Sequence, residues 1–187
     1  MRSTVAAVLG LALCATAQAD ALPEGPPPDF ALPVGCNASA VAPWPAAGEG
    51  YRAQAATEGE VCAEAALTLA LVAPTGRALW ELPTSGVGAI RVLYGVPGGR
   101  EMEAELQAWI SQGGSKPATA ADLPVWADGA AGPEGFEPTT ETDRAAYEAL
   151  RAAARPLFCY ADDPGFDTCL VLAADDSVSA IGRRATR

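Results

Sequence analysis

Hydrophobic positions alternate with small or polar ones over residues 65–82. Leu67, Leu69 and Leu71 are interleaved with Thr68 and Ala70, which sets three leucines on one face of a strand. Pro74-Thr75-Gly76 supplies a turn, and Ala78, Trp80 and Leu82 continue the apolar face on a return strand. The pattern predicts a β-hairpin. The period changes over residues 100–112. Met102, Leu106, Trp109 and Ile110 recur at helical spacing, with Glu101, Glu103 and Glu105 near the end of the helix that favours negative charge. Gly113-Gly114 ends this helix. A second helix is predicted over residues 141–154. Thr140 and Asp143 resemble a capping box, Tyr147, Leu150 and Ala154 mark the buried side, and Pro156 ends it. Between the hairpin and the first helix, Ile90, Val92 and Tyr94 fit either a strand or a short helix over 87–94.

Three more strands are predicted near 157–161, 167–173 and 178–182. Asp163-Pro164-Gly165 and Asp175-Asp176-Ser177 are their turns. Residues 113–139 are rich in Gly, Pro and Ala and read as a long connector, with a short strand at Leu123–Trp126. Residues 20–50 carry seven prolines, from Pro23 to Pro45, which break helices and leave ladder bonds unmade. They predict an extended arm, tied to the body by Cys36 and by Trp44 docking in a groove. The sum is an α+β fold: an antiparallel sheet, made of an N-terminal hairpin and a C-terminal three-stranded meander, packed with two helices and preceded by a Pro-rich N-terminal arm. The predicted boundaries are 1–19 for a signal peptide, 20–64 for the irregular arm and 65–187 for a single domain.

The first nineteen residues set the cellular context. Arg2 is followed by an apolar run from Val5 to Cys14, and Ala17-Gln18-Ala19 places small residues where a signal peptidase cuts. The run is much shorter than the roughly 20 residues that span a bilayer. Leu11-Ala12-Leu13-Cys14 resembles a lipoprotein signal, but Leu13 is large where such sites take a small residue. Cleavage after Ala19 is therefore the expectation, followed by release to the periplasm or the medium with no transmembrane segment. The chain carries a net charge of −11. Phosphate backbones repel such a surface, which excludes nucleic acid as a natural partner and leaves a protein or envelope component of basic charge.

Loss of the signal also removes Cys14, so five cysteines become four: Cys36, Cys62, Cys159 and Cys169. An even number in an exported chain reads as disulfides, and the local pairs Cys36–Cys62 and Cys159–Cys169 are expected. Each should stabilise the fold by about 3 kcal/mol through loss of chain entropy in the unfolded state. No C-x-x-C pair supports redox catalysis, and the spacings do not suit zinc.

The chain has no histidine, which removes Ser-His-Asp and Cys-His catalysis and imidazole metal ligation. A serine-lysine dyad would have to use Ser115 and Lys116, adjacent residues that are poorly placed for it. Loop acids Glu134, Glu137, Asp162, Asp163 and Asp167 are the candidates for a carboxylate-dependent hydrolase. Asp162, Asp163 and Asp167, or Asp175 with Asp176, offer oxygens to calcium, but neither set follows the EF-hand spacing, so no metal or other cofactor is predicted. Asn37-Ala38-Ser39 matches a glycosylation sequon. The favoured reading is a non-catalytic exported binding domain whose interaction surface includes Trp126 and Phe136. A carboxylate-dependent exported hydrolase and an inhibitor of a basic secreted or periplasmic enzyme are the alternatives.

Overall fold

The computed structural model describes residues 35–82, 85–115 and 117–186. The expected signal peptide, Cys14, the prolines before residue 34 and Lys116 lie outside the described residues.

The first sheet contains β1 (Ala38–Pro43), β2 (Arg52–Glu58), β3 (Ala66–Val72), β4 (Ala78–Glu81) and β5 (Ser85–Gly86). Its antiparallel order is β1-β2-β3-β4, and β5 shares the outer side of β3 with β4. Helix α1 (Gly99–Gly113) follows. Beyond the connector come β6 (Phe136–Pro138), helix α2 (Arg144–Ala152), β7 (Leu157–Asp163), β8 (Phe166–Leu172) and β9 (Val178–Ala185). The second antiparallel sheet runs β6-β9-β8-β7. The α+β class and both helices are as the periodicities predict.

The leucines of β3 do face one way. Leu67, Leu69 and Leu71 are fully buried with Ala53 and Ala55 of β2 and with Met102, Leu106 and Ile110 of α1. Trp80 lies opposite Leu71 and packs on the same core. A register shift at Leu71/Val72 breaks the alternation on β4, so that Ala78 is exposed while Leu79 packs inward. Helix α1 runs along the outer side of β1. A Cβ on Gly99 would sit 3.3 Å from the Asn37 carbonyl, and one on Gly114 would sit 3.6 Å from the Pro43 carbonyl. The helix thereby covers an edge that would otherwise invite strand pairing.

The second sheet is apolar on both faces. Phe158, Tyr160, Leu170 and Leu172 join the core shared with α1 and the first sheet. Leu157, Cys159, Cys169, Val171 and Ile181 face the other way, onto Phe136, Tyr147 of α2 and Ala120 and Leu123 of the connector. Such double burial explains why Leu157-Phe158-Cys159-Tyr160 reads as a continuous apolar run. Trp44 connects the two sheets: its indole N–H donates to the Leu157 carbonyl at 2.8 Å and its ring meets Phe158 edge-on. Tyr51 donates to Asp176 at 3.0 Å at another point of the junction.

Three expectations need correction and one open reading is resolved. The stretch 35–64, expected to be irregular, supplies two full strands. Trp44 N bonds Tyr51 O, so β1 presents its even-numbered positions to β2 and the proline at 43 faces the outer edge, where no N–H is needed. Pro45 starts a 3-10 turn, where its fixed φ also fits. The ambiguous stretch 87–94 forms two 3-10 turns, Val87–Ala89 and Arg91–Leu93. No strand forms at Leu123–Trp126. The capping box lies just upstream, at Thr119 and Asp122, and the connector's strand is β6. Helix α2 starts later than predicted because Asp143 itself is the N-cap, accepting from Ala146 N at 2.8 Å.

Candidate functional site

Each disulfide closes as the local pairing predicts. Cys36–Cys62 ties the start of β1 to the 3-10 turn before β3, and Cys159–Cys169 joins residues directly opposite each other on β7 and β8. All four sulfurs belong to buried residues, and none is left as a thiol.

Phe136, expected on an interaction surface, is 3% exposed and packs on Tyr147 with ring centroids 5.6 Å apart. Its Gly/Pro-rich flanks read as a long connector. In the fold they carry Phe136 into the second core instead. Trp126 is half-buried. Its indole donates to Ala130 O at 2.9 Å and meets Tyr147 edge-on, while Glu148 accepts from its backbone N–H and Arg144 donates to its carbonyl. The Trp126 N–H and the Arg151 guanidinium hold the Glu148 carboxyl below its ordinary range. Trp126 therefore clamps the connector to α2, with Val125 exposed beside it.

Nor do the loop acids converge on a cleft. Asp162 accepts from Thr168 at 2.7 Å and pairs with Arg183 at 3.3 Å. Asp167 pairs with Arg184, and Asp163 closes the β7–β8 hairpin at its paired position opposite Phe166. Glu134 and Glu137 are exposed on the connector and β6. Asp175 accepts from the backbone and hydroxyl of Ser177, which lowers its pKa. Asp176 accepts from Tyr51 and faces Arg77 at 3.8 Å. Apart from Glu134 and Glu137, these carboxylates are occupied in turns and ion pairs. Among the described residues no group of three or more potential metal ligands comes together. No helix among them is long and apolar enough to cross a membrane.

The outer face of the first sheet carries no contact that commits it to the fold's interior. Its positions alternate with the buried ones, so strand periodicity alone places them. Val41, Gln54, Ala70 and Glu81 form one cross-strand row, and Ser39, Ala56 and Thr68 form the next. Five of these seven side chains are alanine, serine, threonine or valine, and the sheet is hollow above them. The hollow has a volume of about 470 Å³ and is also lined by Leu82. A shallower depression of about 520 Å³ continues it past Ser39 and Ala56 to Glu58 and to Glu103 of α1. Val41 is 53% exposed in the middle of β1. Carboxylates thus stand at two borders of the face, Glu81 on one and Glu58 with Glu103 on the other. Arg52 lies on the same face, in the row of Pro43 and Val72 at the far end.

This arrangement can bind. The hydroxyls of Ser39 and Thr68 and the amide of Gln54 offer hydrogen bonds, and Val41 and the alanines offer apolar contact. Sequence reasoning missed the face because its residues are small and neutral. The alternation of β3 put Thr68 and Ala70 on it, but alanines on both faces of β1 and β2 erase the contrast there. Set against known family models, curated proteins and solved structures, the chain matches none, so its function has to be argued from this geometry.

Proposed function

We propose that this chain is an exported, disulfide-stapled domain that binds a basic protein partner through the outer face of its first sheet. The reading rests on one observation: a hollow, uncovered sheet face of small residues bordered by Glu58, Glu81 and Glu103. Opposite charge at the borders attracts and orients a cationic partner, and the small residues let it approach the backbone closely. The net charge of −11 extends that attraction over the whole surface. Two closed disulfides support a destination outside the cytosol, since such bonds persist in oxidising compartments. The periplasm or the medium is the location this implies, and a basic enzyme in either place is among the partners the face suits.

Titration of the labelled protein with a peptide of alternating leucine and arginine tests the reading. Amide shifts should concentrate at Ser39, Val41, Gln54, Ala56, Thr68 and Ala70. Affinity should fall as salt rises. Ala56→Arg, which fills the hollow and sets a positive charge in it, should weaken binding by about tenfold or more. Shifts centred elsewhere, or equal binding of an acidic peptide, would refute the assignment.

A further inference from the structure

The outer face of the first sheet constrains the shape of what it takes. A segment laid on a sheet face meets side chains and not the hydrogen-bond ladder, so its own backbone N–H and C=O groups must be paired before they are buried. An extended segment finds such partners only at an edge. The β1 edge lies under α1, and β4 is four residues long with a register shift opposite Leu71/Val72. A helix brings its backbone already bonded. Three strand spacings separate β1 from β4, about 14 Å, which admits a helix about 10–12 Å across. Along β2, Arg52 to Glu58 spans about 20 Å, the length of about 13 helical residues.

The charges on the face are set out as the ends of a helix require. On β2, Gln54 and Ala56 separate Arg52 at one end from Glu58 at the other, and Glu103 of α1 shares the depression beside Glu58. A helix carries partial positive charge at its N-terminus and partial negative charge at its C-terminus. Glu81 borders one flank, in the row of Gln54 and Ala70, within reach of a cationic side chain on the helix. We infer that the partner offers an amphipathic helix to this face, with its N-terminus over Glu58 and Glu103 and its C-terminus over Arg52. Its apolar residues fill the hollow above Ala56 and Ala70, a lysine or arginine meets Glu81, and its direction is opposite to that of β2. This inference rests on the proposed binding face and narrows the element that fills it.

Two peptides of equal length and equal leucine and arginine content test it on the intact protein. In one the leucines alternate with the arginines, and in the other they recur at helical spacing. The helical peptide should bind at least about tenfold more tightly and gain helical circular dichroism on binding. A nitroxide at its N-terminus should broaden the amides of Thr57, Glu58 and Glu103, and one at its C-terminus those of Arg52 and Val72. Glu58→Lys with Glu103→Lys changes two exposed side chains and should weaken the helical peptide about fivefold or more. An alternating peptide that binds the face as tightly as the helical one would overturn the helix and leave the face standing as a binding surface. Broadening at the opposite ends, or full affinity for the doubly substituted protein, would also overturn the inference. If neither peptide shifts the amides of the face, the binding surface itself is wrong and the helix falls with it.

Discussion

At the scale of single residues, close approach decides more than propensity. Gly113 ends α1, where alanine would ordinarily raise helix stability by up to about 1 kcal/mol. A Cβ there would lie 2.6 Å from Phe158 Cζ, and Phe158 is fully buried with Trp44 edge-on against it. Overpacking of this kind costs about 1–3 kcal/mol, so the clash outweighs the propensity gain. Gly113→Ala is expected to lower stability by about 1–2 kcal/mol in urea melts, and Phe158→Leu in the same chain should recover part of the loss. If Gly113→Ala is neutral or stabilising, the ring has room that the packing denies it. Gly182 shows the same logic at the Cys169/Leu170 register shift, where φ is 157° and a Cβ would lie 2.4 Å from the Phe136 ring. None of this was legible in the sequence, because the glycines look like ordinary breakers. Cys36, Cys62, Cys159 and Cys169 were legible, because covalent pairing depends on count, compartment and proximity along the chain.

At the scale of elements, contrast between faces determines what could be read. Helix α1 combines large apolar residues at helical spacing with three glutamates, and it was predicted almost to the residue. The β7–β8 hairpin was located through its Asp-Pro-Gly turn. By contrast, β1 and β2 were missed because alanine fills their inner positions, Ala40, Ala42, Ala53 and Ala55, and Ala56 stands on the outer face as well. Alanine carries almost no facial signal, and nearby prolines favoured an irregular reading. The two disulfides tie different elements and should differ in worth. They enclose sequence separations of 26 and 10 residues. The chain-entropy relation gives about 3.5 kcal/mol for Cys36–Cys62 and about 2.7 kcal/mol for Cys159–Cys169. Denaturant midpoints of the two double-alanine variants should therefore place the loss of Cys36–Cys62 as the more damaging. The opposite order would mean that native-state packing around Cys159 and Cys169 outweighs loop entropy.

At the scale of the whole molecule, buried phenols set an alkaline limit. Burial pushes Tyr147 and Tyr160 up to about 12, against an ordinary value of 10.0. A group whose pKa is raised on folding contributes stability that is fully present below its unfolded value and lost as pH rises through its folded value. Stability should hold up to about pH 10 and fall progressively from there through about pH 12. Phenolate absorbance followed together with circular dichroism checks this: ionisation of the buried pair should coincide with unfolding. Titration of all tyrosines near pH 10 in a folded protein would contradict it.

The Trp44–Leu157 hydrogen bond has a kinetic consequence as well. Its partners are separated by 113 residues, and the core that they join cannot close until β7 and its neighbours exist. Contacts this distant in sequence slow folding, because the chain must close a large loop before any of its interactions is gained. The junction between the two sheets thus stays open until the last third of the chain arrives. On the export proposed above, that delay is useful: a chain whose sheets join late stays threadable until the crossing is nearly complete.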